Sequence, residues 1–540
     1  MKRSVLFTLT LIVLFSISSG AWAIIPTPQS YVKTASSFAI NSKTVWVVEN
    51  EEQAEIAKLL SEKVDKSCGF QIQIVNNEKG AKNLIRFMTN PSLKEEEYVL
   101  SVDAKQITME ASSRKGFFYA VQSLRQLLPA EVENGSPVPG AVISVQGGVI
   151  KDFPYLEVRA LKLKKQQRGL SKSQMLAFLD VMGLHKLNRL YWEPVDEYGM
   201  PMDKDVIHEI GTYATTRCIE LATDETELDD QLTNPNLDNT IILEPEEMHC
   251  SLKDIYMYKP GSGLRYSDHL QGMIGNILGT EGDMTIYDVW RAFPNAAAFA
   301  EICWAGNKER DWSTFIKELD KILPVYNALR MDYSKSMYEL YYKTNVKDRK
   351  VQLSIITVRP DIDVRYTLGG ETPTRSSVLL TNPMMITENK NIFAIGFQGE
   401  KEMSDPLFLD FHFNKATAKP IFSPKSKTPS VLVDGLRSYP DETFGWVYYP
   451  GQKASMTIDL LETLPVKSVR FGVIGGYKAI LYVSQDGARF TQVGEKILNN
   501  KEIDYIIKGL NTEGRFVKLV VEPVEEADAD VLRLDEIIVE

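Results

Sequence analysis

Nothing in the 540-residue chain beyond residue 23 approaches the roughly 18 uninterrupted apolar residues that a membrane-crossing helix needs, so no transmembrane segment is expected. Cysteine is scarce: Cys68, Cys218, Cys250 and Cys303 are the only four, and none forms a C-x-x-C pair. Thiols so few and so scattered make neither a disulfide scaffold nor a redox pair, and buried free thiols are expected. Histidine is scarce too, with His185, His208, His249, His269 and His412 spread along the chain. His208-Glu209 fails as a zinc motif because Thr212 stands where the second histidine would be. There is no Gly-x-Ser-x-Gly and no glycine-rich phosphate loop, so neither a nucleophilic-serine enzyme nor a metal or other cofactor is expected. Positive charge is in deficit, with 61 Lys and Arg against 72 Asp and Glu and a formal charge of -11. A surface of that sign repels phosphate backbones, which argues against a nucleic-acid partner.

What is present begins with Lys2 and Arg3, an apolar run from Val5 to Ile17 and the small-x-small end Ala21-Trp22-Ala23. Together they read as a secretory signal peptide, residues 1–23. Cleavage near Ala23 is expected to leave a periplasmic or extracellular protein starting near Ile24, its charge taken to -13 by the loss of Lys2 and Arg3. The 44% hydrophobic and 25% charged content is that of ordinary globular protein. At about 100 to 200 residues per domain, the length implies several domains.

Residues 24–150 alternate short apolar runs, such as Thr44 to Val48 and Tyr98 to Val102, with helical segments and read as an α+β domain, with strands near Leu84 to Phe87 and Gln106 to Glu110. Its last helix, Gly116 to Leu128, places Phe117, Val121, Leu124 and Leu128 on one face. From 151 to 345 the order is that of a parallel α/β sheet or barrel. Strands are expected at Val158 to Leu163, Arg189 to Trp192, Ile219 to Ala222, Thr240 to Leu243 and Met273 to Leu278, and a helical segment from Trp312 to Met337. Beyond it the pattern is all-β, a small β-sandwich at 346–420 and a jelly roll at 429–540. Pro424 to Pro429 reads as a linker between them.

Particular strings carry a resemblance. Ile25-Pro26-Thr27-Pro28 and the helix Gly116-Phe117-Phe118-Tyr119-Ala120-Val121-Gln122-Ser123-Leu124-Arg125-Gln126-Leu127 resemble the non-catalytic N-terminal domain of family 20 glycoside hydrolases, the β-N-acetylhexosaminidases. Asp152-Phe153-Pro154, Arg159-Ala160-Leu161 and Met182-Gly183-Leu184-His185-Lys186-Leu187-Asn188 resemble the opening of that family's barrel. Phe293-Pro294-Asn295 to Glu301-Ile302-Cys303-Trp304 resembles its closing helix. Val364 to Thr374 resembles the small β-sandwich that follows the barrel. Leu432-Val433-Asp434-Gly435, Thr457 to Leu460 and Val483 to Phe490 resemble a discoidin jelly roll, where Phe444, Trp446 and Tyr448 could stack on a sugar or simply pack between sheets.

The barrel expected from the resemblance is incomplete. Residues 156 to 304 number 149, where an eight-stranded α/β barrel takes about 250, and the strand candidates number five. Almost nothing lies between Asp230 and Thr240, where the family carries its His-x-Gly-Gly-Asp-Glu signature. In that family the Asp orients the substrate's 2-acetamido group, which attacks the anomeric carbon, and the Glu protonates the leaving oxygen. Gly-Gly-Asp-Glu occurs nowhere in this chain. Asp224-Glu225 is a substitute only in name, since Glu227, Asp229 and Asp230 continue it as an acidic loop.

The pocket departs as well. Lys164-Lys165-Gln166-Gln167-Arg168 and Trp192-Glu193-Pro194 replace the family's loops, His249-Cys250 stand near its acetamido-binding tyrosine, and Met200 and Gly279 replace aromatic walls. Trp192 reads as core or as a sugar platform. Arg159 and Glu281 match family residues that contact the terminal sugar, so the resemblance implies them as glycan ligands, a salt bridge being the alternative.

The chain thus reads as a multidomain α/β plus all-β protein: an N-terminal α+β domain, an incomplete (β/α)8-type barrel and two C-terminal β-sandwich domains. Its expected partner is an N-acetylhexosamine-containing glycan, with hydrolysis lost or impaired. Two alternatives stand beside this, an active β-N-acetylhexosaminidase and a non-catalytic adhesion or spacer protein. A five-stranded sheet has exposed edges, which a neighbouring domain, a loop or another subunit in an oligomer would cover.

Overall fold

The computed structural model describes residues 24–540 apart from 78–79, 81, 136, 138–142, 223–236, 244–250, 263–269, 280–282, 307, 382, 425, 427–428, 439–444, 451–452, 475–476, 500–501 and 524–530. The expected signal peptide lies outside the described residues. The chain divides into two compact units, the main break falling between Ser334 and Lys335.

The first unit opens with an α+β layer. Helix α1 (Glu51–Cys68) starts where the Asn50 side chain accepts the Gln53 N–H, carries Glu51 and Glu52 at the positive end of its dipole, and stops at Gly69, whose φ of 72° is left-handed. Ile56, Leu60 and Val64 give it a buried stripe. Helix α2 (Arg114–Gln126), capped by Ser113, is the expected Phe-Phe-Tyr helix. Both share one core with a seven-stranded sheet ordered β1 (Ser30–Ile40), β7 (Ile143–Asp152), β5 (Tyr98–Val102), β6 (Gln106–Ala111), β4 (Asn83–Thr89), β2 (Thr44–Val47), β3 (Gln73–Val75). β7 runs to Asp152, past the boundary expected at 150.

The second layer is a sheet of five parallel strands among the described residues, ordered β10 (Glu220–Ala222), β9 (Arg189–Tyr191), β8 (Val158–Leu163), β12 (Gly272–Ile277), β11 (Leu237–Ile242). Each expected strand appears within three residues of its place. The first and last strands in sequence are neighbours, Leu161 of β8 pairing with Gly275 of β12. Helix α3 (Lys172–Leu184) begins with a capping box from Ser171 and Gln174, and α4 (Lys204–Thr216) with Asp203. Helix α5 (Leu252–Met257) follows, with Tyr258 just past its end. Then come α6 (Ile286–Arg291), the fully buried α7 (Asn295–Ala305) and α8 (Trp312–Ala328). The helical segment expected to reach Met337 stops at Ala328, and Ser336–Tyr338 form only a 3-10 turn.

The second unit is all-β, as expected. Leu340–Lys347, Lys350–Thr357 and Met384–Ile386 form one small sheet, and strands built around Asp363–Leu368 and Lys390–Gln398 form another, over a shared core. The first strand begins at Leu340, earlier than the boundary at 346. A larger antiparallel sheet follows, in which Ala454–Ile474 pairs with Asp504–Pro523 through two register shifts that bend the long strands. Ile421 and Phe422 already pair with Ile458 and Thr457 of this sheet. The stretch read as a linker from Pro424 therefore begins after the last module has started; its pairing partner was too remote in sequence to be foreseen.

Candidate functional site

Ligands of parallel α/β sheets bind beyond the carboxyl ends of the strands. There, the loop after β8 is stitched to its neighbours. The Lys164 N–H donates to the Ile277 carbonyl at 2.8 Å, Met284 N–H to the Arg168 carbonyl at 2.9 Å and Gly169 N–H to the Asp196 carbonyl at 2.9 Å. Gln166 Nε2 donates to the Leu278 carbonyl at 2.6 Å, and Lys165 Nζ pairs with Glu193 Oε1 at 2.7 Å. Under this loop lies Trp192, 3% exposed, in a small cleft that it shares with Lys164, Arg168 and Met284. Its indole N–H is buried with no acceptor among the described residues. A buried donor left unpaired costs about 1–3 kcal/mol, so this one is available to an oxygen that enters.

Among the described residues that line the cleft, Trp192 is the one aromatic. Met200 points outward, 61% exposed. Gly279 has φ 69°, and a Cβ placed there would lie 2.9 Å from Met284 Cε and 3.1 Å from the Asp283 carbonyl. Backbone and space both refuse a large side chain at that position.

The structure places Arg159 elsewhere. Its guanidinium is 1% exposed, at the start of β8. Nε donates to the Lys186 carbonyl at 2.9 Å, Nη1 to Glu96 Oε2 at 3.0 Å and the Leu156 carbonyl at 2.7 Å, and Nη2 to the Tyr119 hydroxyl at 2.9 Å. The Trp304 ring lies 5.0 Å away. Of the two roles open to Arg159, this geometry is the ion pair's. Its intended partner Glu281 lies outside the described residues, as do Asp224, Glu225, Glu227, Asp229, Asp230, His249, Cys250 and Phe444. Trp446 is buried just before the strand Val447–Pro450, whereas Tyr448 within that strand is 39% exposed, its ring centre 5.2 Å from the Arg533 guanidinium. Among the described residues no three His, Cys, Asp or Glu side chains converge as a metal site.

Sequence reasoning missed the polar cluster that joins the two layers. Asp152, at the end of β7, accepts from Lys186 Nζ, the Tyr98 hydroxyl and Trp304 Nε1. Asp152, Lys186 and Trp304 stand in strings quoted above for the family resemblance, which was the only signal; Tyr98 stands in none of them.

The described residues thus build an α+β layer and a parallel α/β layer in the first unit and all-β modules in the second. The structure superposes on the Streptomyces plicatus N-acetyl-β-hexosaminidase with TM-score 0.50, covering 58% of this chain and 96% of that one, at 16% identity, a likeness of fold. Residues 21–153 match glycosyl hydrolase family 20, domain 2, and residues 342–407 match the chitobiase/β-hexosaminidase C-terminal domain. The β-hexosaminidase of Porphyromonas gingivalis is 35% identical over 176 residues, 32% of this chain and 22% of that protein. The β-N-acetylhexosaminidase of Cellulomonas fimi is 23% identical over 181 residues, 33% of this chain and 35% of that one. The chain is therefore a relative of the family 20 glycoside hydrolases, and its matches span about a fifth to a third of the length of these two curated proteins.

Proposed function

We propose that this protein is exported and handles N-acetylhexosamine-containing glycans, binding or presenting them with hydrolysis lost or impaired. The β-hexosaminidases it resembles give the substrate class. The observation that carries the reading is the strand order third, second, first, fifth, fourth along the chain. In an eight-stranded barrel the first strand lies between the second and the eighth, with the seventh beyond. The order among the described residues fits such a barrel with its middle strands absent, the part that carries the acid pair in the family. The lack of Gly-Gly-Asp-Glu in the sequence supports the same conclusion.

Binding in this reading rests on Glu281 as the proposed sugar contact, because the cleft at Trp192 offers only about 20 Å³, room for a single water beside its indole N–H. The C-terminal module, read as discoidin-like, offers Tyr448 as a further platform. Loss of general acid catalysis alone lowers the rate by about 10² to 10⁴. The test is an assay of the full chain on an aryl N-acetylglucosaminide beside calorimetry with GlcNAc oligosaccharides. Binding with turnover at least a hundredfold below an ordinary glycosidase is expected. Full turnover abolished by Glu225→Gln would make the protein an active hexosaminidase, and absence of both binding and turnover would make it a spacer.

A further inference from the structure

A groove of about 400 Å³ opens between α1, α3, α4 and the end of α8, and shares no lining residue with the cleft at the strand ends. Its volume falls in the range of about 300–1,000 Å³ typical of ligand sites. Its chemistry is mixed. Tyr213 and Trp290 give it aromatic wall, and Lys63, Lys66, Asp180 and Arg217 give it charge.

The charged groups are held in place before any ligand arrives. Asp180 Oδ2 takes Arg125 Nη2 at 2.8 Å and lies 3.6 Å from Lys63 Nζ, while Oδ1 takes Arg217 Nε at 3.4 Å. Arg125 is itself fixed by two bonds to Glu133, at 2.5 and 2.8 Å. The Arg217 Cζ lies over the Tyr213 ring, 3.3 Å from its centre. Burial works against the charge on Asp180, but Arg125, Lys63 and Arg217 together hold its carboxyl well below the usual carboxylate range. A carboxylate has about four acceptor positions. Oδ2 is doubly used and Oδ1 singly, so one position remains for a donor that enters.

The balance of charge selects the ligand further. Lys63, Lys66, Arg125 and Arg217 face Glu62, Glu133 and Asp180, which leaves one positive charge unmatched. Lys66 is exposed on the rim and enters no ion pair among the described residues. The vacancies are therefore an aromatic face, one acceptor and one cation. A pyranose ring can meet the first with its C–H face, and a hydroxyl the second. A carboxylate on the same ring meets the third with charge-assisted bonds.

We propose that this groove is a binding site for a sugar that carries one carboxylate, a uronic acid, with Tyr213 and Trp290 against the ring, Asp180 on a hydroxyl, and Lys66 and Arg217 on the carboxylate. The test is titration calorimetry of the full chain with glucuronate, with glucose and acetate as the separated halves of the ligand. Glucuronate is expected to bind one to one, at least tenfold more tightly than either half, and Lys66→Gln to weaken it about tenfold. Lys66 is exposed, so its replacement leaves the fold intact; Arg217→Lys, which keeps a cation beside Asp180 but loses the planar fork, is expected to weaken glucuronate as well. Acetate equal to glucuronate would reduce the groove to a bare anion site, and glucose equal to it would remove the role of Lys66. Either result, an absence of glucuronate binding, or binding indifferent to Lys66→Gln would overturn the proposal.

Discussion

Lys186 Nζ lies 2.8 Å from Asp152 Oδ2, and both side chains are wholly buried. Lys186 follows α3 and Asp152 ends β7, so the pair joins the α/β layer to the α+β layer. Lys186 also donates to the Tyr98 hydroxyl at 2.9 Å and stands 4.4 Å from the centre of the Trp304 ring. Burial pulls the lysine below its ordinary range, and Asp152 opposes that pull.

Breaking this pair from one side should be costly. Lys186→Met leaves a buried carboxylate without its cation and is expected to lower the stability of the first unit by about 3–5 kcal/mol. Combined with Asp152→Asn it should cost less than the sum of the two, because both act on one interaction. Urea unfolding of the four proteins measures this. A single-variant loss below about 1 kcal/mol would show that the pair does not hold the layers together.

Arg159→Ala separates the ion-pair role from the sugar role. The ion pair with Glu96 and the bonds to Tyr119 and three carbonyls predict a loss of stability of about 3–5 kcal/mol. Affinity for GlcNAc oligosaccharides, measured by calorimetry below the variant's melting temperature, should stay unchanged. Lost affinity in a fully folded variant would return Arg159 to the sugar site.

His185 should make the first unit sensitive to acid. Its Nδ1 lies 3.0 Å from the Ile25 carbonyl, which can only accept, so Nδ1 carries the proton and Nε2 accepts from the Tyr326 hydroxyl at 2.7 Å. Burial pushes its pKa down to about 4, with Arg125 and Lys186 adding to the effect, from an ordinary value of 6.5. A depressed value means that the stability contributed is whole above 6.5 and lost as pH falls from there through 4. Amide exchange at Ile25 and Thr27, corrected for intrinsic rate, should accelerate over that window. No change between pH 7 and 4.5 would contradict it.

The second unit carries the opposite sign. Asp434 accepts from Thr344 and from the Leu436 N–H, Glu536 from the N–H groups of Asp434 and Gly435 and from Asn414, and Asp535 from Arg437 and the Ser438 N–H. Burial raises all three carboxyls, and repulsion from the neighbouring carboxylates adds at Asp434 and Glu536, Asp434 reaching about 7. Arg437, shared with Asp504, opposes this at Asp535. A raised value means stability present below the ordinary 3.8 of Asp434 and lost as pH rises through 7. Exchange around Gly435 and Ile537 should therefore be slower at pH 5.5 than at pH 8 after the same correction, and Asp434→Asn should flatten the difference. Equal protection at both values would refute the assignment.

Much of this protein was legible without coordinates. Five parallel strands followed from apolar runs, the apolar face of α2 from its periodicity, and the family from strings such as Phe117-Phe118-Tyr119. Periodicity and caps are local, so a sequence contains them. The ends of elements were less legible: α8 stops at Ala328 because Met331 and Tyr333 turn into the core, which is a matter of what they meet.

The sequence by itself determined the compartments of charge, the element order, the missing acid pair and the kinship. The tertiary structure alone decided which strands are neighbours and which way each side chain faces. Ala160, Tyr191, Ala222 and Ile274 share one face of the five-stranded sheet. Successive residues of a strand point to opposite faces, so Arg159 turns away from that cluster, towards Glu96 and Tyr119. The same holds for the groove, where α1 meets α3 and α4 and brings Lys66, Asp180 and Arg217 together. No spacing in the chain announces such a meeting, because it depends on how two separately encoded layers pack.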